Sequence, residues 1–208
     1  MGMELSELGR KQRCDSLILL GDVKDELLGV SPWGMAMLTQ FFAQVSSSFS
    51  QVILVPGNHD GGIEGHLPSS IKLASPHGIM IGSTINDEDE GKVALLHGHA
   101  EPSPNLSGAK TLVMGHRHFI LRFGRNPQPL WIRGRIGPKK DKNLVIVPPF
   151  NHLLPGAAAF GKEDDGGSNS YVSRVVRENF DTLEALLLDG TNLGTLKSLK
   201  DSLSAVDD

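Results

Sequence analysis

Continuous apolar runs that stop abruptly at Gly and polar residues dominate the pattern of this chain. The stretches "DSLILLGD" (15–22) and "QVILVPGNHD" (51–60) each read as a strand buried on both faces. Between them, "GMAMLTQFFAQVSSS" (34–48) places Met37, Leu38, Phe41, Phe42 and Val45 at helical spacing, which predicts the crossover of a parallel βαβ unit. "KVALLHGH" (92–99) and "KTLVMGHRH" (110–118) repeat the arrangement, a buried run followed by Gly and His. "PLWIRGRI" (129–136) alternates apolar and polar residues, as an antiparallel or edge strand does, while "NLVIVPPF" (143–150) and "LEALLLDG" (183–190) predict further strands. By composition "GKEDDGGSNS" (161–170) is a loop, and "SLKDSLSAVDD" (198–208) reads as a short helix with a frayed acidic tail. The expected class is α/β, with strands enough for two sheets.

Length and composition narrow this picture. The 208 residues suit a single domain over 1–208, and 39% hydrophobic residues with 24 glycines describe a globular chain rich in turns. A formal charge of −4 and a pI near 6.0 give no global basic field for nucleic acid, although a local basic groove is compatible with them. One cysteine, Cys14, excludes an internal disulfide and fits a reducing compartment. No run approaches 18 apolar residues, and "MGMELSELGRKQR" carries charge where a signal peptide needs apolar residues. The expected location is cytoplasmic, with no membrane partner.

The polar clusters carry the chemistry. Ligands of open α/β sheets gather beyond the carboxyl ends of the strands, where Asp22, Asn58, His59, Asp60, His97, His99, His116 and His118 all fall. Four of the eight histidines form two His-x-His pairs, each directly after a strand. Singly, each cluster has a plain reading: Gly-Asp caps helices, Asn and His close turns, and a His pair can be a surface feature. Together they make a mixed nitrogen and oxygen donor set without thiolates, suited to a catalytic divalent metal such as Mn²⁺, Fe, Zn²⁺ or Co²⁺.

In this order GD (21–22), GNHD (57–60), HGH (97–99) and GHRH (115–118) resemble the calcineurin-like metallophosphoesterase superfamily, whose pattern is D-x-H, G-D, G-N-H-[DE], a His-containing strand end and G-H-x-H. "NLVIVPPFNHLLPGAAAF", "LLLDGTNLGTL", "GMELSELG" and "GDVKDE" look more narrowly like the archaeal ICC-like phosphoesterases. The resemblance spans nearly the whole chain. It implies a four-layer α/β/β/α sandwich of two mixed sheets and hydrolysis of a phosphoester by metal-activated water. No Asp-x-His precedes Gly21, so the first strand and two metal ligands of the family are expected to be missing.

By resemblance, Asp22 bridges two metals, Asn58, His97 and His116 hold the second, and His118 holds the first. Mn²⁺ is the leading ion, with Fe, Zn²⁺, Co²⁺ and Ni²⁺ as alternatives. His59 is implied as proton donor to the leaving oxygen. His99 has two readings, reaching the phosphate or its water, or supporting the site. Asp60 either orients His59 or closes the turn. Without D-x-H, one occupied metal site and weak or absent hydrolysis are expected, and the unpaired strand edge would favour an oligomer. Two other classes stay open. One is a pseudoenzyme that binds a phosphorylated ligand without turnover. The other is a nucleic-acid processing nuclease, for which "RFGRNPQPLWIRGRIGPKKDK" (122–142) supplies four Arg, three Lys and Trp131; a solvated hairpin is the plainer reading of that stretch.

Overall fold

The computed structural model describes residues 1–24, 29–82, 91–123, 126–151, 157–158 and 169–204. In chain order its elements are α1 (Gly2–Gln12), β1 (Ser16–Leu19), α2 (Pro32–Ser48), β2 (Gln51–Leu54), β3 (Ile71–Leu73), β4 (Ile79–Ile81), β5 (Val93–Leu96) and β6 (Thr111–Met114). There follow β7 (Phe119–Phe123), β8 (Asn126–Pro129), β9 (Trp131–Ile136), β10 (Lys142–Ile146), β11 (Ala157–Ala158), α3 (Tyr171–Asn179), β12 (Glu184–Leu186), β13 (Asn192–Thr195) and α4 (Leu196–Ser204). The loop expected at 161–170 lies outside the described residues up to 168, as do His152 and the last four residues of the acidic tail.

The α/β class is met, with one large mixed sheet and flanking helices. Strands β1, β2 and β3 form a parallel sheet in that order, and the βαβ unit read from the sequence is its first half. Helix α2 begins where Ser31 caps it by accepting the Gly34 N–H at 3.1 Å, with Pro32 at its first position. Its buried stripe is Leu38, Phe42 and Val45, whereas Met37 faces outward at 48% exposure. The seven-stranded sheet runs β13-β12-β9-β10-β6-β5-β4. Within it β5, β6 and β10 are parallel, and β9 is antiparallel to both β10 and β12, as its alternation predicted. A third sheet of short strands runs β11-β7-β8.

The apolar interior divides along the chain. One core joins Leu38, Phe42, Val45, Phe49, Val52, Leu54, Ile63 and Ile71, with Leu5, Leu17 and Leu19 packed against it. The other draws on residues from Met80 to Leu199 and lies between the seven-stranded sheet and helices α3 and α4. Helix α1 buries only Gly2 and Gly9. A Cβ on Gly9 would lie 2.4 Å from the Phe49 ring, so α1 docks by close backbone approach in place of an apolar stripe.

Register decides where the polar residues go. Leu96 pairs with Met114 and Met114 with Ile146, so the carboxyl ends of β5, β6 and β10 stand side by side. The strands stop where the apolar runs do, at Leu96 and Met114. This frees residues 97–99 and 115–118 to turn, and the turns carry the histidines.

Candidate metal centre

Four segments converge on one point: the ends of β1, β2, β5 and β6. The first two are fastened by Asp60, a carboxylate only 1% exposed. Its Oδ2 accepts the N–H of Asp22 at 2.7 Å and of Gly57 at 2.8 Å, and its Oδ1 accepts those of Val23 at 3.0 Å and Lys24 at 3.4 Å. Of the two readings left open for Asp60, these bonds match the turn-forming one. The reach extends beyond its own turn, because three of the four donors belong to the segment after β1.

The clamp imposes an unusual backbone. Gly21 and Asp22 are both left-handed, with φ of 79° and 53°. Gly can adopt this freely, and Asp tolerates it better than most side chains do. A Cβ on Gly21 would sit 2.5 Å from both the Gly57 nitrogen and His97 Nδ1, and one on Gly57 would sit 2.1 Å from Asp22 Oδ1. The glycines of GD and GNHD therefore let two loops touch. Asp22 Oδ1 then accepts the His59 N–H at 3.0 Å, which leaves Oδ2 toward the histidines.

His97 is 1% exposed and reaches this carboxylate from β5. Its Nδ1–H donates to the Leu20 carbonyl at 2.6 Å, which fixes the ring and turns Nε2 toward Asp22 Oδ2 and His116 Nδ1, each at 3.1 Å. His116 comes from β6 through a tight reversal in which the Arg117 N–H bonds the Gly115 carbonyl at 2.8 Å with His116 at φ 67°. A positive-φ turn of this kind is rare and strained for a side-chain-bearing residue.

Donor atoms of Asp22, His97 and His116 lie within 4.8 Å of one another, the one such group of three among the described residues. Two imidazole nitrogens and a carboxylate oxygen at this spacing suit one borderline divalent ion, whose bonds to such atoms are about 2.0–2.2 Å. The Nδ1–H bond of His97 to a backbone carbonyl is the outer support that metal-binding imidazoles ordinarily have.

The remaining sequence candidates stand around this group. His99 lies beside it, its ring centroid 5.3 Å from that of His97 and 6.2 Å from that of His116, and its buried Nδ1 has no hydrogen-bond partner. Burial and the charge of His97 lower its pKa. His59 is half-buried with its backbone bound to Asp22, and Asn58 is exposed at the tip of the turn closed by the Asp60 N–H to the Gly57 carbonyl at 3.3 Å. His118 is half-buried and acts on His116 through charge, but it is not one of the three gathered donors.

Three contributors escaped the sequence reading. Helix α3 braces both histidine loops: the Val172 N–H donates to the Gly98 carbonyl at 3.0 Å, and Arg117 Nη1 donates to Ser173 Oγ at 2.9 Å. Its signal was present in "SYVSRVV", where the Ser170 cap precedes Val172, Val175 and Val176 at helical spacing. Arg117, the variable position of GHRH, also stacks 5.3 Å from the Phe119 ring. Lys24 is 6% exposed and donates from Nζ to the Gly29 carbonyl at 3.0 Å.

Charge in the centre is tuned by burial. Burial pushes the Asp22 carboxyl up, but the hydrogen bond and charge of His97, with the N–H and charge of His59, outweigh it and hold the pKa at about 2 against an ordinary 3.8. Burial first, then the charge of His97, lower His116 from 6.5 to about 4, with Asp22 opposing.

A family model described as calcineurin-like phosphoesterase matches residues 3–184. No curated protein matches the chain. Among solved structures, the Pseudomonas putida nuclease MPE is similar with a TM-score of 0.50 and 22% identity, covering 84% of this chain and 75% of that one. At that identity the likeness is one of fold.

Two outcomes follow from the clamp and the buried charges. Asp60→Asn keeps one acceptor oxygen but turns an amide toward the N–H groups held by the other, so urea denaturation is expected to show a loss of about 2–5 kcal/mol. A change within about 0.5 kcal/mol, the range of an ordinary surface substitution, would show the clamp to be dispensable. The second outcome concerns acid. Between the unfolded pKa of 6.5 and the folded value of about 4, the unfolded chain takes up a proton at His116 that the folded protein refuses. Stability of the metal-free protein therefore falls as pH drops through that window. The depressed carboxyl of Asp22 adds a further loss between 3.8 and about 2. Thermal melts across the upper window should be less pH-dependent in His116→Asn, and an equally steep profile would remove His116 as the cause.

Proposed function

The chain belongs to the calcineurin-like phosphoesterases, and from that premise we propose that it hydrolyses a phosphodiester at the centre formed by Asp22, His97 and His116. The supporting observation is the convergence of His97 Nε2, Asp22 Oδ2 and His116 Nδ1 from three strand ends, two of the contacts being 3.1 Å. A divalent ion held there supplies Lewis-acid activation of the phosphoryl group and of the attacking water. The protein's own part is to hold the carboxylate and imidazoles in register before substrate arrives, so that little reorganisation remains during the reaction.

The other residues take complementary roles. Asn58, exposed at the turn tip, and His118, beside His116, complete the donor set in this reading. His59, whose backbone N–H bonds Asp22, protonates the leaving oxygen in this reading. His99, with a buried and unsatisfied Nδ1, is suited to bind a phosphoryl oxygen or the water in line with it. Mn²⁺ is the proposed ion, and the three gathered donors favour a single ion. The same count supports a second reading, in which the centre retains a phosphorylated ligand with little or no turnover. A nucleic-acid phosphodiester is the proposed substrate class, supported by the fold's likeness to a nuclease.

Purified protein loaded with Mn²⁺ or Zn²⁺ and freed of excess ion should retain metal, while His97→Ala should retain markedly less. Equal retention by both would remove the centre. His59→Asn should keep its metal and lower hydrolysis of bis-p-nitrophenyl phosphate by about 10²- to 10⁴-fold. Metal loss in that variant would make His59 a ligand. Full metal with no turnover in the parent protein would favour the ligand-retaining reading.

A further inference from the structure

Strand β9 carries a surface that the metal centre does not use. Its side chains alternate, with Ile132 and Ile136 buried at 0% and 5% and Trp131, Arg133 and Arg135 exposed on the opposite face. The row has a direction. Ile132 pairs with Ile146 at the end of β10, and the Val147 N–H donates to the Met114 carbonyl, one residue before the turn that carries His116. Trp131 therefore stands at the centre's end of the sheet, two strand spacings or about 10 Å from Gly115. Arg133 and Arg135 follow at steps of about 6.6 Å away from it, toward the β9–β10 turn with Lys139 and Lys140.

We propose that this outward row of β9 is a track for single-stranded nucleic acid, which stacks a base on Trp131 and feeds the adjoining phosphodiester to the metal centre. The inference rests on the phosphodiester reading above and names its substrate class. An exposed indole has a face for any base, and guanidinium groups at regular spacing follow a backbone without reading sequence. A duplex is disfavoured, since stacking on Trp131 requires an unpaired base. Neighbouring groups leave the track cationic at its key positions. Arg133 pairs with Glu184 at 3.1 Å, but both are exposed and a pair of that kind is weak enough for phosphate to displace. Arg135 donates from Nε to the Lys140 carbonyl, which orients its guanidinium without neutralising it. Lys140 Nζ is held by Asn179 and Thr182, both uncharged, and Asp141 is the acidic group at the far turn. Phe150, 38% exposed and three residues past Val147, adds a second aromatic surface at the same end.

The test separates the track from the chemistry. Fluorescence anisotropy with labelled oligothymidylate of about twelve nucleotides, within the roughly 4–16 typical of single-strand sites, measures binding to metal-free protein. Trp131→Ala should weaken binding about tenfold or more. Arg133→Ala with Arg135→Ala should flatten the salt dependence by about 1.4 in log–log slope, since each lost phosphate contact removes about 0.7. On Mn²⁺-loaded protein, Trp131→Ala should raise KM for the oligonucleotide relative to KM for bis-p-nitrophenyl phosphate. Unchanged affinity and salt slope in these variants, or tighter binding of duplex than of single strand, would overturn the track. Hydrolysis of bis-p-nitrophenyl phosphate without oligonucleotide binding would sink the track alone. Variant-sensitive binding without hydrolysis of either substrate would uphold the track and sink the hydrolytic reading.

Discussion

A single buried carboxylate decides whether this centre exists. Asp60 satisfies four backbone N–H groups drawn from two loops, and every later contact depends on the positions it fixes. The left-handed pair at Gly21 and Asp22 is unfavourable for an isolated chain and persists because Asp60 over-determines it. With that segment held, the Leu20 carbonyl meets His97 Nδ1 and the Asp22 carboxylate meets Nε2, so one loop addresses both sides of one ring. By contrast, the bidentate Arg174–Glu101 pair has contacts of 2.6 and 2.7 Å but stands in solvent and contributes little to the fold. Burial explains the difference.

The centre also joins two apolar interiors. Asp22 and Asp60 project from the core around α2, whereas His97 and His116 project from the core under α3. Its donors therefore tighten or loosen together with the packing between those halves. Helix α3 contributes from the far side, by fixing the Gly98 carbonyl and the Arg117 guanidinium so that both histidine turns have a rigid backing.

Some of this was written plainly in the sequence. Apolar runs ending in GD, GNHD, HGH and GHRH located the strand ends, and the spacing of Leu38, Phe42 and Val45 located α2. The missed elements lacked such signals for physical reasons. Helix α1 buries two glycines in place of large apolar residues, and β3 and β4 are three residues each, too short for a period to register. The clamp of Asp60 was illegible because its partners are backbone groups, which every residue has and no motif marks. The exposure of Asn58 and the separation of His118 from the gathered donors depend on turn geometry, which residue type alone does not set.

The order of the two cores along the chain has a consequence for synthesis. Residues up to Leu73 contain the whole of the first core, together with both carboxylates. A growing chain thus holds every residue of that half, Asp22 and Asp60 included, before either histidine of the centre has been made. The imidazoles that face it emerge later, His97 first and His116 after it, and both stand on neighbouring strands of the seven-stranded sheet. A cation that needs all three donors of the cluster could therefore be held only once His116 has been made, the last of them in chain order.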